Sequence, residues 1–142
     1  RNLVSNFPAL AVDFARQFWP GALTMILPKH NSVPIGITGS TTIAIRQPDH
    51  PSALALISEC GSPITGTSAN LSGMPPSINA QEVLKQLGES IDLIIDGGTC
   101  NQTVPSTILD LTQNPPRVLR EGAISIKALQ EINPLTILVG PH

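Results

Sequence analysis

Residues 18–27 read FWPGALTMIL, and this stretch decides the fold because the apolar repeat changes within it. Before it, apolar side chains recur at roughly helical spacing from Pro8 to Phe18, with Asn6 as a candidate helix cap. After it, Leu23 to Leu27 form a short apolar run of the kind found in buried strands. Proline and glycine at positions 20 and 21 end the helix, so the sequence predicts a helix followed at once by a strand.

Helices and strands alternate along the rest of the chain as well. The helix candidates are residues 51–60, 81–87 and 125–132, and the strand candidates are 41–45, 63–65, 91–95, 106–111 and 117–119. Asn79 is placed to cap the second of these helices, and Glu82 is placed to reach back to the cap amide. Interleaved elements of this kind favour the α/β class. The final residues 133–142 show no clear periodicity, and no role is predicted for them.

The composition limits the classes of protein to which the chain can belong. Its 142 residues, 41% of them hydrophobic, suit one globular domain. A net charge of −2 and few aromatic residues do not indicate a nucleic-acid surface, although direct RNA binding stays an open question. The cysteines Cys60 and Cys100 are too few for a disulfide-stapled secreted domain and indicate a reduced, cytoplasmic protein. No apolar run approaches the ~18 residues that cross a bilayer, so no membrane association is expected.

The most distinctive polar segment is TGTSANLSG at residues 65–73, which follows the apolar run at 63–65. Small hydroxyl and amide side chains at such a junction can donate hydrogen bonds to phosphate or carboxylate oxygens, as can the backbone amides. Alternatively, the serine and asparagine side chains build a turn by bonding to the local backbone. The residues alone leave both interpretations open.

Two arginines end strand-like runs, and a serine begins a third. Arg46 closes TIAIR at 42–46, where period-2 alternation places Thr42, Ala44 and Arg46 on one face. Arg120 closes RVLR at 117–120, and Ser106 opens the run at 106–111. A guanidinium at a strand end can grip a carboxylate with two hydrogen bonds, which makes an anion site plausible. An exposed residue or a surface ion pair is the alternative for each arginine.

The common catalytic motifs do not occur in this sequence. It has no nucleophile elbow, no P-loop and no dinucleotide fingerprint, so the corresponding hydrolase, P-loop NTPase and Rossmann dinucleotide-binding classes lose support. The histidines His30, His50 and His142 lack the spacing of a metal site, and no protein metal ligand is predicted.

Six segments, in this order, resemble the YrdC-like family of threonylcarbamoyl-AMP synthases. They are residues 18–24, 45–51, 67–73, 91–98, 105–110 and 117–124. The resemblance covers nearly everything between Phe7 and Ile132. It implies an α/β fold with a twisted mixed sheet and packed helices, as one domain over residues 1–132 with a tail at 133–142.

The family resemblance also implies a reaction and a set of contacts. The expected activity forms L-threonylcarbamoyl-AMP from L-threonine, bicarbonate and ATP with Mg²⁺, releasing pyrophosphate, and a separate transferase then uses the product to modify tRNA. Catalysis would depend on positioning and charge stabilisation, without a protein nucleophile. The resemblance assigns ATP contacts to Thr42, Ser68, Asn70 and Arg120, and L-threonine contacts to Arg46, Gly66 and Ser106.

The sequence departs from the family pattern in two places. Pro76 falls where the family often has a serine near ATP, so either Ser77 substitutes for that serine or the contact is missing. The family's Lys-x-Arg motif precedes the segment at 18–24 and has no counterpart here, and the chain opens with Arg1 rather than Met. We therefore expect a chain that starts partway through the domain, lacks its opening strands, and has little or no activity alone. Homo-oligomerisation could cover the resulting open sheet edge.

Two other functions fit the same sequence. One is a non-catalytic nucleotide-binding or interaction module of the same fold, which the missing Lys-x-Arg motif favours. The other is the carbamoyl-adenylate-forming domain of hydrogenase maturation proteins, although nothing here resembles that domain's usual zinc-finger and acyl-phosphatase neighbours.

Overall fold

A computed structural model describes residues 3–100 and 104–139. These residues form two compact units. The first unit comprises the described residues up to Leu54 and from Val104 onward, and the second comprises those from Ala55 to Cys100.

The first unit is built on a five-stranded sheet. Its helices are α1 (Ala9–Phe18), α2 (Ile35–Thr38) and α5 (Ile126–Ile132), and its strands are β1 (Leu23–Pro28), β2 (Thr42–Ile45), β3 (Thr107–Asp110), β4 (Arg117–Arg120) and β5 (Ile137–Leu138). The strand order is β2-β1-β3-β4-β5, with β1–β3 and β4–β5 parallel and the other two pairs antiparallel. The predicted α/β class and mixed sheet are confirmed.

The core lies on one face of this sheet. Period-2 alternation puts Leu23, Met25 and Leu27 of β1 on that face, where all three are fully buried. Leu109 of β3 and Val118 of β4 continue the same apolar surface. Residues Ala11, Phe14 and Leu129, from α1 and α5, cover it. Each large apolar side chain buried here stabilises the fold by about 1.5–3 kcal/mol, so this face fixes the strand register.

Between β2 and β3 the chain forms helix α3 (Pro51–Cys60), helix α4 (Ala80–Leu87) and a short 3₁₀ turn (Gly88–Ser90). The predicted cap of α4 is confirmed, since the Glu82 amide donates to Asn79 Oδ1 at 2.8 Å. The Glu82 carboxylate reaches back, but it accepts from the amide of Ile78 at 3.0 Å rather than from that of Asn79. A cap of this kind stabilises a helix by about 1 kcal/mol.

Three local predictions are wrong. Residues 91–95 do not form a strand, and Leu93 and Ile95 are 77% and 59% exposed. Residues 63–65 are likewise exposed and outside any strand. A strand needs a neighbour for its backbone hydrogen bonds, and the described part of the second unit contains none. Asn6 does not cap α1, because Pro8 occupies the cap position without a side-chain hydrogen bond.

The segment without a predicted role supplies the edge strand β5. The Ile137 amide donates to Pro116 O at 3.0 Å, and the Val139 amide donates to Val118 O at 2.9 Å. These two bonds cover the outer edge of β4. Across residues 3–100 and 104–139, no helix is long and apolar enough to cross a membrane.

Candidate functional site

One end of the sheet collects polar side chains from four strands. The parallel strands β1 and β3 begin at this end, and the antiparallel strands β2 and β4 finish there. Thr24 lies near the start of β1 and Ser106 directly before β3, while Arg46 follows β2 and Arg120 ends β4. We call this cluster the arginine end. It brings together Arg46, Ser106 and Arg120, three of the residues predicted from the sequence.

Arg46 is held by a backbone carbonyl beside β1. Its Nε donates to Gly21 O at 2.7 Å, and the Gly21 amide donates to Gln47 O at 2.9 Å. In the described part of the chain, the two terminal nitrogens of Arg46 have neither a hydrogen-bond partner nor a carboxylate in ion-pair range. The guanidinium therefore presents the edge that binds a carboxylate bidentately.

Arg120 is held in a different way. Its Nε and one terminal nitrogen both donate to Ser106 O, at 3.1 and 2.8 Å, and the same terminal nitrogen lies 3.3 Å from Ser106 Oγ. One edge of the guanidinium is thus used inside the protein, and the other terminal nitrogen is left for a ligand. Arg120 can therefore make one hydrogen bond to an anion, whereas Arg46 can make two parallel hydrogen bonds to a carboxylate.

A β-bulge aims Arg120 at this site. Leu109 pairs with Val118, but Ile108 pairs with Arg120, so Leu119 is an extra residue in β4. Strict alternation after the buried Val118 would turn Arg120 toward the core face. The bulge instead leaves both Leu119, which is 46% exposed, and Arg120 outside the core. The sequence analysis placed Arg120 at a strand end but did not predict this bulge.

The hydroxyl of Ser106 is paired with a residue that sequence reasoning missed. Thr24 Oγ1 and Ser106 Oγ lie 2.9 Å apart, although 82 positions separate them in the chain. Both residues are half-buried. The available signal was a polar residue between Leu23 and Met25, which alternation places on the face opposite the core.

A buried hydroxyl behind the site ties the segment after β4 to the start of β3. Thr107 Oγ1 donates to Ile124 O at 2.5 Å and accepts from the amides of Gly122 and Ile124 at 2.9 and 3.0 Å. The chain approaches so closely that a Cβ on Gly122 would lie 2.2 Å from Pro105 O. These contacts hold Ser106 in place from the core side of the sheet.

Thr42 lies away from the arginine end. It is opposite Pro28 at the far end of β2, and its hydroxyl lies 3.2 Å from Ser40 Oγ. Arg46 is four residue steps further along the chain, which is about 13 Å at the usual rise per residue. The structure therefore does not bring Thr42 together with the other predicted contacts of the first unit.

Ser68 and Asn70 lie in the second unit, in a loop of residues 67–77 that we call the SxN loop. Ser77 closes the loop, because its hydroxyl donates to Ala69 O at 2.8 Å and accepts from Gln86 Nε2 at 3.2 Å. The Asn70 amide nitrogen donates to Leu71 O and Met74 O at 2.8 and 2.7 Å. Ser77 is therefore already engaged in holding the loop.

The SxN loop contains one unused hydrogen-bond acceptor and one uncommon backbone conformation. Asn70 Oδ1 is buried and has no protein partner among the described residues, so it remains an unused acceptor. Ala69 has a φ of 50°, an uncommon left-handed conformation for a residue with a side chain. Ser68 and Gly66 are exposed, and a Cβ on Gly66 would meet no atom within 4 Å. This glycine is thus not required by its neighbours in the protein.

Acidic and metal-ligating side chains do not cluster in the described regions. No group of three or more His, Cys, Asp or Glu residues within 3–100 and 104–139 could hold a metal ion. His142 lies outside these regions. The donors that do converge are guanidinium and hydroxyl groups, which bind anions rather than cations.

The family model described as "Telomere recombination" for Sua5, YciO and YrdC proteins matches residues 1–122. The chain belongs to this family. It is 41% identical over 131 residues to a threonylcarbamoyl-AMP synthase of Pyrococcus abyssi, and 43% identical over 133 residues to one of Bacillus subtilis. Each match covers 92% of this chain but 38% of the relative.

Solved structures of the family agree with this fold. A crystal structure of P. abyssi Sua5 complexed with L-threonine has a TM-score of 0.92 and 39% identity, covering 96% of this chain and 41% of that one. The crystal structure of E. coli YciO has a TM-score of 0.76 and 34% identity, covering 86% of this chain and 60% of that one. The chain thus corresponds to less than two thirds of the length of these relatives.

Proposed function

We propose that this chain carries part of the active site of an L-threonylcarbamoyladenylate synthase, which makes threonylcarbamoyl-AMP from L-threonine, bicarbonate and ATP. The observation that carries the proposal is the pair of arginines at the arginine end, Arg46 and Arg120. Each is fixed through Nε to a backbone carbonyl; in the described structure Arg46 keeps both terminal nitrogens for a ligand and Arg120 keeps one. The names of the relatives and the L-threonine complex of one of them support the same reaction.

The substrate carboxylate is assigned to Arg46. An amino acid presents a planar, two-oxygen anion, and Arg46 presents two free terminal nitrogens in the described structure. Ser106 contributes a hydroxyl at the same end of the sheet. In this proposal the carboxylate of L-threonine lies over β1, between Arg46 beside β2 and Ser106 beside β3.

A phosphate of ATP is assigned to Arg120. Arg120 ends β4, and three strand spacings of about 4.8 Å separate β4 from β2, or roughly 14 Å between the backbones that carry the two arginines. That spacing suits two different anionic groups better than one shared ion. Ser68 and Asn70 of the SxN loop, together with Thr42, are further candidate contacts to ATP, and Gly66, just before that loop, is a candidate contact to L-threonine.

The proposed chemistry needs no protein nucleophile. The amino nitrogen of L-threonine takes up the carbon of bicarbonate as a carbamate, with loss of water. A carbamate oxygen then attacks the α-phosphorus of ATP, and the bond from that phosphorus to the oxygen shared with the β-phosphate breaks, releasing pyrophosphate. Fixed guanidinium groups lower the barrier by stabilising charge without having to reorganise.

Mg²⁺ is proposed to enter on the triphosphate. The described residues offer no cluster of carboxylates or histidines to bind it, whereas Mg²⁺ commonly retains waters and substrate phosphates as ligands. The product is proposed to pass to a separate transferase that modifies tRNA. A cytoplasmic location is consistent with two exposed, unpaired cysteines, Cys60 and Cys100.

Calorimetry and a turnover assay test this proposal separately. Titration of the chain with L-threonine and with Mg·ATP should give saturable binding of both, and D-threonine serves as the control ligand. Pyrophosphate release in the presence of L-threonine, bicarbonate and ATP then measures turnover, which we expect to be low for this chain alone. Binding of ATP without any L-threonine binding would contradict the proposal and favour a nucleotide-binding module.

A further inference from the structure

The pairing of Thr24 with Ser106 has chemical consequences that extend beyond sheet stability. Thr24 lies in β1 between two fully buried residues, Leu23 and Met25, and points to the opposite face. Ser106 Oγ, at 2.9 Å, is the hydrogen-bond partner of its hydroxyl within the described structure. A threonine near the start of β1 is thus directed at the side chain to which we assign an L-threonine contact.

The hydrogen-bond capacity of Ser106 is limited. Its hydroxyl has one proton to donate and two acceptor positions. The guanidinium of Arg120 can only donate, and one of its terminal nitrogens lies 3.3 Å from Ser106 Oγ, so it uses one acceptor position. The Thr24 hydroxyl must therefore either donate to the second acceptor position of Ser106 Oγ or accept the single proton of the Ser106 hydroxyl.

A carboxylate ligand distinguishes these two arrangements. An ionised carboxylate only accepts hydrogen bonds, so Ser106 can bind it only if the serine proton is free. That condition holds when Thr24 donates to Ser106. The resulting chain of hydrogen bonds runs from Thr24 to Ser106 to the carboxylate, and each bond polarises the next.

We propose that Thr24 is a positioning residue that donates to Ser106 and thereby directs the serine proton at the carboxylate of the amino-acid substrate. This inference rests on the proposed function. It assigns to Thr24 an effect on amino-acid binding, with little effect on nucleotide binding, although Thr24 itself touches neither substrate.

The chain offers matched variants for a test. Thr24→Val keeps the shape and the branched side chain but removes the hydroxyl, and Thr24→Ser keeps the hydroxyl. Thr136 is fully buried, and its hydroxyl has no protein partner among the described residues. Thr136→Val is therefore the same chemical change in the same unit, made at a hydroxyl for which the described residues supply no partner.

Calorimetric titration of the four proteins with L-threonine and with Mg·ATP separates the outcomes. We expect Thr24→Val to weaken L-threonine binding about fivefold, the effect of losing one neutral hydrogen bond that orients and polarises the Ser106 hydroxyl, while ATP affinity changes less than about twofold. Thr24→Ser and Thr136→Val should remain within about twofold of the parent for both ligands.

Each other outcome has a definite meaning. If the parent binds L-threonine and Thr24→Val binds it equally well, the inference fails and the proposed function stands. Equal losses for L-threonine and ATP, together with an earlier urea midpoint, would show a purely structural role and also overturn the inference. A parent chain that binds no L-threonine overturns the proposed function, and the inference falls with it.

The NMR signals of the terminal arginine N–H groups give a ligand-free check. Because one terminal nitrogen of Arg120 donates to both the carbonyl and the hydroxyl of Ser106, removing the Thr24 hydroxyl should shift the signal of that terminal group. Thr24→Ser should restore it. An unchanged signal in Thr24→Val would show that Thr24 does not control the Ser106 environment.

Discussion

Arg46 Nε lies 2.7 Å from the carbonyl oxygen of Gly21, which is 25 positions earlier in the chain. This single contact determines which part of the guanidinium faces a ligand. It engages Nε, the guanidinium nitrogen bonded to the aliphatic part of the side chain, and leaves the two terminal nitrogens available. The orientation needed for two parallel hydrogen bonds to a carboxylate is therefore set before any ligand binds. The same contact also joins the turn before β1 to the end of β2.

Arg46→Lys keeps the positive charge but cannot make both contacts. A lysine ammonium is a single point of charge, so it either reaches Gly21 O or binds the ligand. We expect L-threonine affinity to fall by about 2 kcal/mol, or roughly thirtyfold, as measured by calorimetry. Arg16→Lys is the control, since Arg16 is exposed on α1 and lies 3.9 Å from Asp13. Comparable losses in the two variants would contradict the assignment.

Gly122→Ala tests the close approach behind Ser106. The new Cβ would lie 2.2 Å from Pro105 O and 2.8 Å from Ser106 O, both backbone atoms that cannot rotate away. We expect a loss of about 2 kcal/mol in the free energy of unfolding, with weakened L-threonine binding. Urea denaturation and calorimetry measure the two effects.

Gly36→Ala is the matched control for that change. Gly36 lies in α2, and a Cβ there would meet no atom within 4 Å. Alanine is favoured over glycine within a helix, so the free energy of unfolding should stay constant or rise by up to about 1 kcal/mol. Equal destabilisation by the two variants would mean that crowding at Gly122 is not the cause.

Thr107→Val should destabilise the protein, although no ligand contact is assigned to Thr107. The change removes a buried hydroxyl that bonds to the amides of Gly122 and Ile124 and to Ile124 O. Leaving such groups without partners lowers the free energy of unfolding by about 2 kcal/mol. Thr107→Ser retains the hydroxyl and should lose about 1 kcal/mol for the missing methyl. Urea unfolding checks the order, and a more stable valine variant would refute it.

Gly66→Ala separates a ligand contact from a structural requirement. A Cβ at this position meets nothing within 4 Å, so the urea midpoint should be unchanged. If the Gly66 backbone lies against L-threonine, the added methyl should weaken that binding about tenfold, for about 1.4 kcal/mol. Retained affinity and retained stability together would remove Gly66 from the site.

Local chemistry predicted the elements whose stability is local. The cap at Asn79 and the helix α3 over Pro51–Cys60 follow from neighbouring residues in the chain, and the structure contains both. Residues 91–95 have the composition of a strand, but a strand also needs a partner. No property of those five residues reports whether a partner is present.

The candidate site likewise contains residues whose placement follows from the local sequence and others whose placement depends on distant parts of the chain. Arg46 and Ser106 could be predicted, since each lies beside a strand whose end is marked by its own sequence. Thr24 could not be paired with Ser106, because the contact joins positions 82 residues apart through the parallel pairing of β1 with β3. The orientation of Arg120 depends on the bulge at Leu119, which arises from pairing between β3 and β4 rather than from β4 alone.

Ser106 and Thr107 are adjacent hydroxyl residues that serve opposite faces of one strand. A slip of one residue in β3 would turn the serine into the apolar core and present the threonine to solvent. Such a misregistered molecule would forfeit both the three bonds made by Thr107 and the anion contact proposed for Ser106. A molecule misregistered at this strand therefore loses fold stability and the proposed recognition of substrate together.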